Sequence, residues 1–243
     1  MWGGEHLPAL AGWYAASVGN NYATPSLLHL LGGRPLPLNV LEQATMSLLG
    51  ALSCSRLKVP LPGLAELRAA GPATVLGMGV CNAATCYLFM LSLSLLPLSL
   101  CMTIRAATPA GAVLFGLASG RTYSVEQCLS LLPMLGGFAL AVNAQGSSSL
   151  PGVAAALGSL LALNGVQHCS RACSVRGLHD VQVQWLQCTL CLVLLAPALS
   201  PTEVDQLRRS LRGSRTFGWL SLLNGLSDYV ENLAATRCCG RLG

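Results

Sequence analysis

Charge is what this chain of 243 residues lacks most. Asp, Glu, Lys and Arg together make up 9% of it, against about 25% in an ordinary soluble domain, and lysine occurs once, at Lys58. That shortage excludes a water-soluble enzyme domain, and the absence of any dense basic run excludes a nucleic-acid reader. Aromatic residues are few as well, at 5%. There is no GxSxG, no HExxH, no P-loop and no pair of intramembrane aspartates spaced for proteolysis, so no enzymatic activity is expected. Residues Met1 to His6 contain Glu5 and no basic residue. They therefore lack both the positive start of a signal peptide and the Arg- and Ser-rich pattern of an organelle transit peptide. The first apolar run is expected to double as the targeting signal. The 11 cysteines mostly sit in apolar stretches, where thiols behave as small buried hydrophobes. Neither Cys188 with Cys191 nor Cys169 with Cys173 has the His or carboxylate companions of a zinc set. No metal and no cofactor is expected.

Present in quantity are apolar residues, at 53%, and 26 glycines. A membrane-spanning helix needs about 20 predominantly apolar residues. The runs are Leu7–Leu31, Leu38–Cys54, Ala69–Leu93, Leu98–Ser119, Val125–Val142, Leu150–Ser170, Val181–Leu199 and Phe217–Ala235. Between them lie the turn formers and most of the charge: Gly32 to Pro35, Arg56 to Arg68, Gly120-Arg121, Gly146 to Ser149, Arg176 to Asp180 and Ser200 to Ser214. The expected fold class is an all-α multi-pass membrane protein of about eight transmembrane helices, with the lipid bilayer as its solvent. Arg56, Lys58, Arg68, Arg121, Arg171 and Arg176 fall on one side and, before the seventh run, only Arg34 on the other. This asymmetry predicts a cytosolic amino terminus. Arg208, Arg209, Arg212 and Arg215 spoil the count, because simple alternation puts them with Arg34.

Arg105 is the most informative residue. It lies near the middle of the fourth run, and a guanidinium at that depth costs about 2.5–3.5 kcal/mol on insertion scales, so it normally faces a cavity or a partner. Pro109 has no N–H to offer the carbonyl four residues back, that of Arg105 itself. A planar fork of donors on weakened backbone suits the oxygens of a phosphate. The competing reading is an ion pair with Glu42, Asp228 or Glu231. Glu42 stands five residues after Pro37, within reach of the headgroup layer, and a structural role is expected for it. Asn224, Asp228, Glu231 and Asn232 recur at spacings of four and three, which puts them on one helical face. Such a stripe should face the bundle interior; alternatively Phe217–Ala235 lies partly at the interface. Asn20 and Asn21 in the first run line a cavity or tie helices together, as do Gln167 and His168 in the sixth. Gly116 with Gly120 and Ala154 with Gly158 are weak helix-packing signals that argue for a compact bundle and nothing more; a homodimer is left open.

Ser92 to Pro109, SLSLLPLSLCMTIRAATP, resembles the SLxYVPVSFxQTIKATTP of the triose-phosphate translocator and nucleotide-sugar transporter family of the drug/metabolite transporter superfamily. Arg105 stands where that family usually carries lysine. Gly120-Arg121-Thr122-Tyr123-Ser124 is similar to the family's GEKYS turn, and Ser130 to Gly137 to its SLIPVxGG. Trp13-Tyr14 through Asn21, Pro35 with Pro37, and Asn224-Gly225 with Asn232 extend the resemblance over residues 12 to 232. It implies ten helices in two inverted five-helix repeats with the substrate near the midplane. The first repeat would cover residues 7–142, an incomplete second one residues 150–235, and a divergent tail residues 236–243.

Thr24-Pro25 replaces the family's Asn-Lys, Met90 replaces an Asn, and the last two spans with their Lys-Arg pair are missing. The chain is thus expected to be a fragment or a truncated gene model. The resemblance implies an antiporter-type carrier for a small anionic organic phosphate, either a sugar phosphate or a nucleotide sugar. Arg105, Thr103, Thr108, Asn21 and Asn232 are its expected substrate-binding residues. The alternatives are a non-transporting membrane protein and a general metabolite exporter of the same superfamily. A Golgi or endoplasmic reticulum membrane is favoured over a plastid envelope.

Overall fold

The computed structural model describes residues 7–118, 120, 122–144 and 149–240. Among them are twelve α-helices and no strand. In chain order these are α1 (Leu7–Leu30), α2 (Pro35–Arg56), α3 (Leu64–Ala70), α4 (Pro72–Leu95), α5 (Leu98–Ala106), α6 (Thr108–Ala118), α7 (Val125–Leu129), α8 (Leu132–Ala144), α9 (Leu150–Val175), α10 (Asp180–Leu195), α11 (Pro201–Gly213) and α12 (Arg215–Gly240). A 3₁₀ turn, Ala196–Ala198, extends α10. Among the described residues every apolar run is mostly helical. The fourth run is divided between α5 and α6, and the fifth between α7 and α8. The charged connections Arg56 to Arg68 and Ser200 to Ser214 fold into the short helices α3 and α11. Met1 to His6, Ser119, Arg121, the segment 145–148 and the end of the tail, Arg241 to Gly243, lie outside the described residues.

Four stretches are both long and apolar enough to cross a membrane: Pro72–Leu95, Leu98–Leu117, Leu150–Val175 and Asp180–Ala198. Helices α1, α2 and α12 have 24, 22 and 26 residues, which at 1.5 Å per residue is about 33–39 Å, the thickness of a hydrocarbon core or more. They are more polar because of residues that they bury against one another. The chain is an all-α multi-pass membrane protein.

The helices pack as two compact units, Cys81–His168 and Met1–Val80 with Cys169–Gly243. Packing and internal repeats are different properties, and this division is not that of the expected repeats. In the unit of residues 81–168, Leu100, Cys101 and Ile104 on one face of α5 join Leu96, Ala107, Ala156 and Leu160 in a buried cluster. In the other unit Ala70, Val75, Met78, Cys173, Val183 and Leu186 form a second core. Here α2 packs on α10 closely enough that a Cβ added to Gly50 would meet Trp185 Cβ at 3.0 Å.

In that second unit α1 and α12 run antiparallel. Ser17, Asn20 and Thr24 on α1 meet Glu231, Asp228 and Asn224 on α12 in reversed order. Gln206 of α11 donates to the Leu31 carbonyl at 3.0 Å. The segment whose arginines disturbed the charge count therefore does lie beside Arg34, at the end of the unit where α1 gives way to α2.

Candidate functional site

The break between α5 and α6 carries three of the five residues expected to bind substrate. Helix α5 stops at Ala106, and the N–H of Ala107 closes a tight turn onto the Ile104 carbonyl at 3.0 Å. Pro109 then sits in the first turn of α6, where a missing N–H is tolerated. The Arg105 carbonyl does not stay bare, because the Thr108 hydroxyl donates to it. One turn earlier the Thr103 hydroxyl donates to the Ser99 carbonyl at 2.8 Å. Both hydroxyls are thus tied to their own backbone, from which a rotation about one bond releases them.

Arg105 is half-buried, with its guanidinium carbon 4.0 Å from the centroid of the Phe89 ring on α4. A cation over an aromatic face gains about 0.5–2 kcal/mol, the more so when it is out of water. Residues 81–168 contain one acid, Glu126, exposed in the first turn of α7. Among the described residues of this unit, no side chain or carbonyl accepts a hydrogen bond from the Arg105 guanidinium. Facing the same break, α6 and α9 are close enough that a Cβ on Gly111 would collide with Leu160 and Asn164. Asn164 gives its amide N–H to the Leu160 carbonyl at 2.9 Å, while its buried Oδ1 accepts nothing among the described residues.

Asn21 and Asn232, the other expected ligands, belong to the second unit. Asn21 is half-buried on α1. Asn232 donates to the Asp228 carbonyl in its own helix at 2.8 Å. Beside them runs a polar network that joins three helices. Asn224 donates to the Glu42 carboxylate and accepts from the Thr24 hydroxyl at 3.2 Å, which lies 2.9 Å from Asn20 Oδ1 as well. Asn20 in turn donates to Asp228, and the Ser17 hydroxyl to Glu231 at 3.3 Å. The stripe on α12 thus faces the bundle interior, with Asn224 1% exposed.

Two sequence expectations change. Glu42 does not reach the headgroup layer: it is 4% exposed, enclosed between α2 and α12. Thr24, which first counted as the loss of an anchor, is the hydroxyl that links α1 to α12. Its position four residues after Asn20 is the signal that was there to read. Asn39 gave none: it is fully buried on α2, and neither polar atom of its amide has a partner among the described residues.

Arg105 thus stands at the break between two helices of a multi-pass chain, with the Thr103 and Thr108 hydroxyls within a turn of it. No individual curated protein matches the chain. The model of the triose-phosphate transporter family matches residues 6–243, nearly all of it, and the chain belongs to that family of integral-membrane transporters within the drug/metabolite superfamily.

Proposed function

We propose that this protein is an antiporter-type carrier for organic phosphates, a sugar phosphate or a nucleotide sugar, with Arg105 as the cationic anchor. The observation that carries the reading is the Arg105 guanidinium, stacked on Phe89 with its donors unfilled among the described residues of its unit. An arginine fork matches two phosphate oxygens at once, and Thr103 and Thr108 add hydroxyls within a turn of it. In the empty state the aromatic face stabilises the cation, and a dianionic phosphate offers it more. Access would alternate by rocking of the two repeats, residues 7–142 and 150–235, around the bound solute.

Proteoliposomes preloaded with a sugar phosphate test this. Uptake of labelled sugar phosphate or nucleotide sugar should require a phosphorylated solute inside, and the matching free sugar should neither enter nor drive entry. Arg105→Glu should abolish exchange and leave membrane insertion unchanged. Transport of the free sugar or of an amine at the same rate as its phosphate would overturn the assignment and favour a general exporter.

A further inference from the structure

We propose that α11 is a lipid-binding helix: it lies at the membrane surface and holds anionic phospholipid headgroups through Arg208 and Arg212. The inference is independent of which solute is carried.

Residues on α11 sort by face at 100° per residue. Glu203, Gln206 and Ser210 are half-buried on the inner face, where Gln206 bonds the Leu31 carbonyl and Glu203 lies near Arg34. Val204, Leu207 and Leu211, at spacings of three and four, make an apolar stripe along one edge. Val204 and Leu211 are 41% and 42% exposed. Arg208 and Arg212 stand one turn apart on the outward side next to this stripe, and both are exposed. Arg209 and Arg215 add positive charge, against Asp205 as the acid of the outer face. Leu207 is half-buried where the stripe meets the inner face, whereas Val204, Leu211 and the two arginines are exposed.

The position of the helix says what covers them. The candidate span Asp180–Ala198 ends just before Pro201, and α12 starts at Arg215. A 13-residue helix is about 20 Å long, too short to cross a hydrocarbon core. Tied at both ends to membrane helices, it stays in the interface. A helix with an apolar edge beside a basic one lies in that plane, with its aliphatic side chains toward the acyl boundary and its guanidinium groups reaching up to phosphates. Arginine forks fit phosphate oxygens in pairs. Each basic group near an anionic surface contributes a factor of about five in binding.

The test uses the full chain in nanodiscs with a tryptophan reporter, Leu211→Trp, measured against the unaltered protein. Brominated phosphatidylglycerol should quench the added fluorescence in preference to brominated phosphatidylcholine, by about thirtyfold in relative affinity for two arginines. Arg208→Gln with Arg212→Gln should remove the preference while both lipids still quench. Equal quenching by the two lipids with the arginines intact would overturn the proposal, as would no quenching by either. So would suppression of the preference by millimolar inorganic phosphate, which would mark an adventitious anion site. The wild-type arms decide the matter even where the double variant fails to fold.

Discussion

In residues 81–168 the half-buried Arg105 rests on an aromatic ring, and the Thr103 and Thr108 hydroxyls bond to backbone carbonyls four and three residues earlier in the chain. Where α1, α2 and α12 meet, the buried charges are acids, and the groups that satisfy them come from other helices. The first arrangement can be undone locally. Releasing the guanidinium costs one ring contact with α4, and rotating Thr108 costs one bond to the adjoining last turn of α5. The second cannot, since withdrawing Asn224 removes at once a donor to the Glu42 carboxylate on α2 and an acceptor for the Thr24 hydroxyl on α1. Under the proposed function the first charge is available to a solute, whereas charge bonded across helices specifies which helices are neighbours and in what register.

The comparison breaks most readily at Asn224. Asn224→Ala leaves a buried carboxylate without its amide donor, a loss of about 3–5 kcal/mol. Thermal unfolding in detergent should show a large fall in midpoint, and Glu42→Gln should restore much of it by removing the charge. Next in size is close packing at the same junction. A Cβ on Gly225 would come within 2.7 Å of Thr45 Cγ2, so Gly225→Ala should destabilise by about 1–3 kcal/mol, and Thr45→Ser should recover part of this.

Asn39 tests the rule from the other side. A buried amide without partners costs about 1–3 kcal/mol relative to an apolar group of the same shape, so Asn39→Leu should raise the unfolding midpoint. A gain in stability with loss of exchange would place Asn39 on the side of function with Arg105. The smallest effect is expected at the start of α11. There the Ser200 N–H and hydroxyl donate to Glu203 at 2.9 and 2.7 Å. The backbone bond first, then the hydroxyl, and Arg34 as well, hold the Glu203 carboxyl below its ordinary range. Because the folded value is depressed, this stabilisation is complete above the ordinary glutamate range and disappears as pH falls through the lowered value. Ser200→Ala should cost about 1 kcal/mol and flatten that acid limb, as read by amide exchange in α11.

The helices were legible because membrane helices announce themselves by length and apolarity, and Ala69–Leu93 or Leu150–Ser170 needed nothing more. The interruption of the fourth run was legible as well, from Pro109 and Arg105. Helix α11 was not read, although Ser200-Pro201-Thr202-Glu203 carries the capping-box spacing, since a charged connection between two spans reads as a loop. The stripe on α12 could be placed on one face by spacing alone. What it would meet could not: Asn224 and Glu42 are 182 residues apart, and periodicity within a helix says nothing about which helix lies opposite. Asn39 lay beyond the sequence for the same reason. Its burial depends on how α2 is surrounded.

The most direct test of the account pairs exchange with unfolding for three changes at position 105 in proteoliposomes. Arg105→Gln should reduce phosphate-dependent exchange by at least a hundredfold and leave the unfolding midpoint unchanged, whereas Arg105→Lys, the residue that the resembling motif carries, should keep most of it. Arg105→Glu should behave as Arg105→Gln does in unfolding and show no exchange. Exchange that survives Arg105→Gln, or a collapse of the fold in both neutral and conservative variants, would contradict the claim that this cation is held for a solute.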